Sequence, residues 1–489
     1  MKLFKTIISN WRFWILLAII VLGAGLRLYG LRIQSLWLDE LAGWNLSHSS
    51  TWAQVIQNVD KGDISPPGYH LVNFLLERFV GDDEVILRLP SAIAGIFSII
   101  AIYFLGKQLY SPKEGLLSAV MLAVLWCPVY YSQEERPYST LVLFVLISTI
   151  LIIQLVKKLF RPQGRLLPTA ILYIVSATIV CYLHYFGLFL IFLQGVSVII
   201  ITLFSRKFKA TLLATGVYSA IFILFLPWFF HFKSSLGFRN GWISAPTYRF
   251  FWDYLVFLFN NSPAITYLVV ILFSFLIAYT AYLLIKRRTR SEISLNSTLF
   301  LILWLVLPIG LIFLASLLIR PMLVDRYLLI SMPAAYILLA RAIFLIPLPK
   351  LFTTLVAVGL VGLLLYHLIF QMQYYTLQTK EQWRQAVQLV VQHEPLPENS
   401  KIYGCKWRSF WNYYFQHLNS SLQVEGIACT SADLPQFAST IETNPPSHIW
   451  LLSAHMVPDT STLDYLEKNY TLDQHYALIG AQVWYFSLK

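Results

Sequence analysis

Long apolar runs, each closed by polar or basic residues, set the rhythm of this chain. Runs of about 17 to 25 residues, the length at which a helix spans roughly 30 Å of hydrocarbon, begin at 13–28. They recur near 88–108, 114–131, 138–156, 167–183, 186–204, 210–231, 263–285, 298–319, 327–346 and 351–370. The pattern predicts an α-helical polytopic membrane protein of about eleven transmembrane helices. The apolar stretch around Cys181-Tyr182-Leu183-His184-Tyr185-Phe186-Gly187 is too long for one span, and a polar His-Tyr followed by Gly suits a tight turn, so it reads as two spans. After position 370 the rhythm changes. An amphipathic stretch over 380–392 and β-like runs at 401–405, 424–429, 448–454 and 477–488, separated by Pro-, Asn- and Ser-rich turns, predict a small α/β domain over 371–489. The membrane module is then 1–370, with a long first loop over 30–87.

Charge gives this count a direction. Lys2, Lys5 and Arg12 precede the first run, which continues without a small-residue cleavage site, so it reads as a retained anchor with a cytoplasmic N-terminus. On that basis the basic loops all fall inside: Lys107 and Lys113; Lys157, Lys158, Arg161 and Arg165; Arg206, Lys207 and Lys209; Lys286, Arg287, Arg288 and Arg290; Arg341 and Lys350. An odd number of spans puts the tail outside, which in a bacterium is the periplasmic side of the plasma (inner) membrane. A chain that is 57% hydrophobic and 12% charged is not a soluble globule. The net charge of +12 lies in short loops between spans, so it implies no nucleic-acid partner. Of the four cysteines, Cys127 and Cys181 fall in or near spans, and only Cys405 and Cys429 in the tail are candidates to pair.

The acids take sides as well. Asp39, Glu40, Asp60, Asp63, Glu77, Asp82, Asp83, Glu84, Glu134, Glu135, Asp253 and Asp325 lie on the outer side, while the inner loops hold Glu114 and Glu292. Span centres without ionisable residues argue against an ion-coupled transporter. The densest outer stretch, Ser35-Leu36-Trp37-Leu38-Asp39-Glu40, sets two carboxylates just beyond the first span, and Arg136 and Arg326 stand in two further outer loops. The planar fork of Arg suits a phosphate, and beside a membrane that phosphate belongs to a lipid headgroup. Blander roles compete for each residue. Arg at a span end can be a snorkelling anchor, a Tyr-rich edge an interfacial belt, Asp39 an N-cap of a helix over 41–46, His184 a turn residue, and Pro66-Pro67 a rigid turn before a surface helix over 69–78. Together the loops fit group transfer from a lipid-phosphate donor, in which a carboxylate deprotonates an acceptor hydroxyl while cations hold the departing phosphate. One base suffices, and no second acid is obligatory.

In order along the chain, several stretches resemble the motifs of the C superfamily (GT-C) membrane glycosyltransferases. These are Ser35-Leu36-Trp37-Leu38-Asp39-Glu40, Ser65-Pro66-Pro67-Gly68-Tyr69-His70, Leu87-Arg88-Leu89-Pro90-Ser91 with Gly95, Tyr131-Ser132-Gln133-Glu134-Glu135-Arg136-Pro137-Tyr138, His184-Tyr185-Phe186-Gly187 and Arg326-Tyr327-Leu328. The likeness is to bacterial relatives of dolichyl-phosphate-mannose protein mannosyltransferases and of the lipid A aminoarabinose transferase. It implies a GT-C fold with an extracytoplasmic active site, a polyprenyl-phosphate-linked sugar as donor, and a lipid, glycan or protein hydroxyl as acceptor. It implies Asp39 as the base with Glu40 beside it; Glu134, Arg136, Arg326 and Tyr327 at the donor phosphate; and Tyr69, His70, Arg88, Tyr138, His184 and Tyr185 as acceptor contacts or support. No cofactor is obligatory for this chemistry, and a divalent metal is compatible with it. Two residues depart from the family pattern: Ser65 stands where a His is frequent, which leaves no metal ligand assigned there, and Glu135 stands where a small residue is common. The alternatives are a polysaccharide polymerase, a lipid-linked oligosaccharide flippase, which would line a cavity within its spans with cations, and a non-catalytic receptor.

Overall fold

The structure, a computed structural model, describes residues 11–63, 65–161, 165–235, 242–285 and 292–489. The basic residues Lys2, Lys5, Lys286, Arg287, Arg288 and Arg290 lie outside the described residues.

Among those described, 10 helices are long and apolar enough to cross a membrane, or 11 if the pair Pro112–Val124 and Trp126–Ser132, bent by 59° at its break, makes one span. The break has a local cause: Leu125 is extended at φ −68 and ψ 144, and Pro128 has no N–H to offer the carbonyl of Val124 one turn back. The long apolar stretch near position 184 divides as its pattern predicts, into Leu166–Leu183 and Tyr185–Phe204. His184 between them is extended at φ −163, and its side chain accepts from the Phe186 N–H, capping the second helix.

The chain forms two compact units. The helical unit takes the described residues up to Tyr29, then Thr51–Val72 and Arg88–Tyr374. The Asp325–Leu345 span is its most enclosed, 83% buried. Small residues there, Ala334, Ala335, Ala340 and Ala342, let neighbouring backbones close in.

The second unit is built from Gly30–Ser50, Asn73–Leu87 and Tyr375–Lys489. Its sheet has strands β1 (Ser400–Gly404), β2 (Gly426–Ile427), β3 (His448–Ala454), β4 (Tyr470–Leu478) and β5 (Ala481–Leu488), in the order β2-β1-β3-β5-β4. β1 runs parallel to β2 and β3; β5 is antiparallel to β3 and β4. Alternation along β3 serves two cores. Trp450, Leu452 and Ala454 face the Trp383–Val391 and Arg408–His417 helices, and Ile449 and Leu451 face Phe437, Ile441 and Leu466 of the Leu434–Thr443 and Thr460–Asn469 helices. Leu36, Leu41, Trp44 and Leu87 from the first loop complete the former core. A disulfide joins Cys405 and Cys429. The single run expected over 477–488 is a hairpin, turning at Gly480 with φ +62. β4 escapes a hydrophobic pattern because it is an edge strand, exposed at five successive positions after the buried Tyr470.

Candidate functional site

In the helical unit the Trp52–Gly62 helix ends at Asp63, whose extended backbone turns the chain into Ser65-Pro66-Pro67. Asp63 Oδ1 accepts from the Ser65 N–H at 3.0 Å, and Oδ2 pairs with His70 Nε2 at 3.2 Å. Burial alone would raise this carboxyl. The hydrogen bond and charge of His70, the charge of Arg136 and the Ser65 N–H outweigh it, and hold Asp63 well below the usual carboxylate range. His70 is buried, and its other nitrogen, Nδ1, has no hydrogen-bond partner among the described residues.

Next to His70, Tyr69 reaches Ser91 Oγ at 2.8 Å, and that hydroxyl donates to the carbonyl of Arg136 at 2.9 Å. Since the Ser91 proton is committed to Arg136, Tyr69 is the donor of the first bond. The loop carrying Arg136 is pinned again by Gln133, whose amide donates to the carbonyls of Leu26, Arg27 and Tyr29 at 3.2, 3.0 and 2.7 Å. Those carbonyls end the Trp11–Leu28 helix, so one side chain both caps that helix and locates the loop. Ser132 accepts from Arg27 Nε at 3.1 Å. Gly95 makes this approach feasible: a Cβ there would lie 2.1 Å from Ser132 Oγ and 2.7 Å from Arg27 Nε. Glu134 and Glu135 are both buried, as is Arg88.

His184 lies among Tyr138, Phe186 and Tyr327, with ring centroids 6.0, 5.4 and 5.0 Å away. Burial is the main reason its pKa falls to about 3; the charges of Arg136 and Arg326 push the same way against Asp63. The ring is neutral at physiological pH. Its Nδ1 accepts from the Phe186 N–H at 3.1 Å, so the proton sits on Nε2 and His184 is a donor there. The Arg326 guanidinium stands over the rings of Trp242 and Tyr327, 5.5 and 5.8 Å from their centroids. Arg136, His184, Asp63 and Arg326 thus share one electrostatic neighbourhood. Tyr185 faces a different way, accepting from Trp228 Nε1 at 3.0 Å.

Asp39 belongs to the second unit. The helix expected over 41–46 begins earlier, as Leu38–Ser47 with Trp37 at its N-cap, so Asp39 is not the cap but a half-buried residue of the first turn. Glu40 takes the capping role, accepting from the Trp37 N–H at 3.3 Å, and pairs with Lys380 Nζ at 3.2 Å while fully buried. Around them the backbone is tied down: the Leu36 N–H donates to Tyr414 Oη at 2.7 Å and the Leu38 N–H to Glu381 Oε2 at 3.0 Å, and Ser35 donates to the Glu381 carbonyl. The chain on the N-terminal side of Asp39 is therefore held at four successive residues, Ser35 to Leu38.

Five sequence-predicted residues, Arg136, Tyr138, His184, Arg326 and Tyr327, come together. Sequence reasoning counted Asp63 as an outer acid without a role, and it did not single out Lys380 or Glu381. Asp63 carried one signal, its position seven residues ahead of a His across a Pro-Pro turn. Among the described residues, no group of three or more His, Cys, Asp or Glu side chains is placed to hold a metal ion.

Residues 65–231 match the family model described as dolichyl-phosphate-mannose-protein mannosyltransferase, a stretch that includes His70, Arg136 and His184 but neither Asp39 nor Arg326. No curated protein matches the chain by sequence. By structure the chain is similar to ArnT from Cupriavidus metallidurans in the apo state, with TM-score 0.58 and 12% identity, covering 96% of this chain and 97% of ArnT. It is equally similar to the same protein bound to undecaprenyl phosphate, at TM-score 0.58 and 12% identity over 97% and 98%. The archaeal oligosaccharyltransferase AglB from Archaeoglobus fulgidus, in complex with an inhibitory peptide and a dolichol-phosphate, follows at TM-score 0.50 and 11% identity, covering 97% of this chain and 74% of AglB. The chain has the fold of the C superfamily over nearly its whole length, as its motifs imply.

Proposed function

We propose that this chain is a membrane glycosyltransferase that moves a sugar from a polyprenyl-phosphate donor to an acceptor hydroxyl, inverting the anomeric centre. The observation that carries this reading is the shared neighbourhood of two guanidinium groups and a neutral imidazole N–H, from Arg136, Arg326 and His184, on a fold whose relatives ArnT and AglB bind polyprenyl phosphates. As the bond from the anomeric carbon to the phosphate oxygen breaks, the electron pair leaves with the phosphate, and these donors stabilise the growing charge. Tyr327 backs Arg326, and the Tyr69–Ser91 relay holds the Arg136 backbone. Glu134 beside Arg136 helps to set the charge balance of that loop. Asp39 takes the acceptor's proton as its oxygen attacks the anomeric carbon opposite the phosphate, and its neighbour Glu40 is itself held by Lys380. The Cys405–Cys429 disulfide supports an oxidising, extracytoplasmic side for the second unit.

The test is binding of undecaprenyl phosphate to the full chain in lipid nanodiscs. Arg136→Ala and Arg326→Ala should each weaken binding by about 1.5–3 kcal/mol, roughly 10- to 150-fold, with Lys rescuing in part because the fork is lost. Unchanged affinity in both would show that the arginines are interfacial anchors and sink this assignment. Asp39→Asn should keep that affinity and lower turnover by about 10²- to 10⁴-fold; full turnover in that variant would remove Asp39 as the base.

A further inference from the structure

The helical unit contains a cleft, ≈ 590 Å³ in volume, that shares no residue with the Arg136, His184 and Arg326 neighbourhood. Its walls include Gln57, Asp60, Tyr182, Trp228, Phe230 and His231. Gln57 and Asp60 are three apart on the Trp52–Gly62 helix, so they share a face. Asp60 pairs with His231 Nδ1, and more than half of the Asp60 side chain remains exposed. On the other side the wall is aromatic. Trp228 lies with its ring centroid 4.3 Å from that of His231, and its indole N–H is fixed on Tyr185. Tyr182 is held close to the neighbouring chain: a Cβ on Gly68 would lie 2.5 Å from its carbonyl oxygen, so the two backbones are in direct contact.

We infer that this cleft binds a sugar ring, and that the acceptor of the proposed reaction is accordingly a glycan or glycolipid. The chemistry of the walls selects this occupant. A hydrocarbon chain would satisfy the aromatic side but would desolvate the Asp60 carboxylate and the Gln57 amide without returning a hydrogen bond. A sugar ring offers C–H faces to aromatic side chains and hydroxyl donors at its edge to a carboxylate, an imidazole and an amide. The volume falls within the range of about 300–1,000 Å³ typical of small-ligand sites. Tyr182 is two residues from His184, and Tyr185, which holds Trp228, is its neighbour; the same helix break therefore organises both the cleft and the cluster that faces the donor. The assignment of this sugar as acceptor rests on the proposed transferase reading; the binding itself does not.

The experiment is saturation-transfer NMR on the full chain in nanodiscs, titrated with free glucose, mannose, galactose, glucosamine, N-acetylglucosamine and cellobiose. At least one should bind saturably, and Asp60→Asn and His231→Asn should each weaken it at least tenfold while thermal unfolding stays near that of the parent. Arg136→Ala should leave it unchanged. Absence of saturable binding across the panel overturns the inference, as does competition by farnesol, which would identify a lipid-chain groove, or by a Ser/Thr-containing peptide, which would identify a protein acceptor. Undecaprenyl phosphate binding is measured in parallel. If it persists while saccharides fail, only this inference falls; if saccharides bind and the phosphate does not, only the donor reading falls.

Discussion

Asp63 fixes the orientation of the His70 ring: Oδ2 holds Nε2 at 3.2 Å, and Nδ1 on the far side of the ring is buried with no hydrogen-bond partner among the described residues. Because the folded pKa of Asp63 lies below its unfolded value, its stabilising contribution is present above about pH 4 and is lost as pH falls toward the folded pKa. Asp63→Asn should therefore lower the melting temperature at pH 7, and the gap from the parent should narrow as pH falls from 4 to 2; a gap constant with pH would contradict the ion pair. A second residue-scale prediction concerns Gly95. Alanine there should cost about 1–3 kcal/mol by overpacking against Ser132 and Arg27, read as a lower melting temperature that a Ser132→Ala partner partly restores. Arg136, His184 and Arg326 were legible in the sequence because each interrupts or borders an apolar run. Asp63 was not, since it is one of several acids in a long loop and its meaning depends on a histidine and an arginine that only the folded chain brings near.

At the scale of elements, the second unit contains a titrating cluster across three helices. Glu77 is paired with Ser47 Oγ at 2.5 Å and His48 Nδ1 at 3.2 Å, and Asp82 with His417 Nε2 at 3.1 Å. Burial pushes Glu77 up to about 7, against the pull of Ser47 and His48. His417 is shifted upward too: burial would lower it, but Asp82 and the Tyr413 carbonyl prevail. A carboxyl raised in the folded state costs stability as pH climbs from its unfolded value of about 4.5 through 7, and a raised His loses its contribution as pH rises through its folded value. Both act in the same direction, so this unit should melt lower at pH 8 than at pH 5, and Glu77→Gln should flatten the dependence. A profile unchanged by Glu77→Gln would remove that residue as its source. The disulfide closes a separation of 24 residues, so replacing both cysteines by Ser should cost about 3 kcal/mol, measurable by the same melts. Helices were the readable elements because a membrane span must be apolar along its whole length. β4 was hidden by its polar, exposed edge position, and the Leu38–Ser47 helix began earlier than expected because Glu40, not Asp39, caps it.

For the whole molecule, the basic loops and the disulfide both favour the proposed orientation, in which a reporter fused after Lys489 should report an extracytoplasmic position. A cytoplasmic readout would overturn the proposed sidedness and, with it, the proposed lipid-linked donor. The second unit is assembled from three separate pieces of chain, and this has a consequence for biogenesis. Gly30–Ser50 and Asn73–Leu87 leave the ribosome early, yet Leu36, Leu41, Trp44 and Leu87 find their core only when Trp383, Trp411 and the β3 strand arrive. At roughly 5–20 residues per second, the intervening stretch of about 290 residues imposes a wait of about 15 to 60 s before the last piece even begins to emerge, during which the first loop stands with its apolar side chains uncovered. Pulse-chase proteolysis should find that loop cleavable until synthesis is complete and protected afterwards. A chain stopped at Phe370 should be degraded in the cell instead of accumulating as a smaller protein, because the segment that carries Asp39 would never acquire its interior.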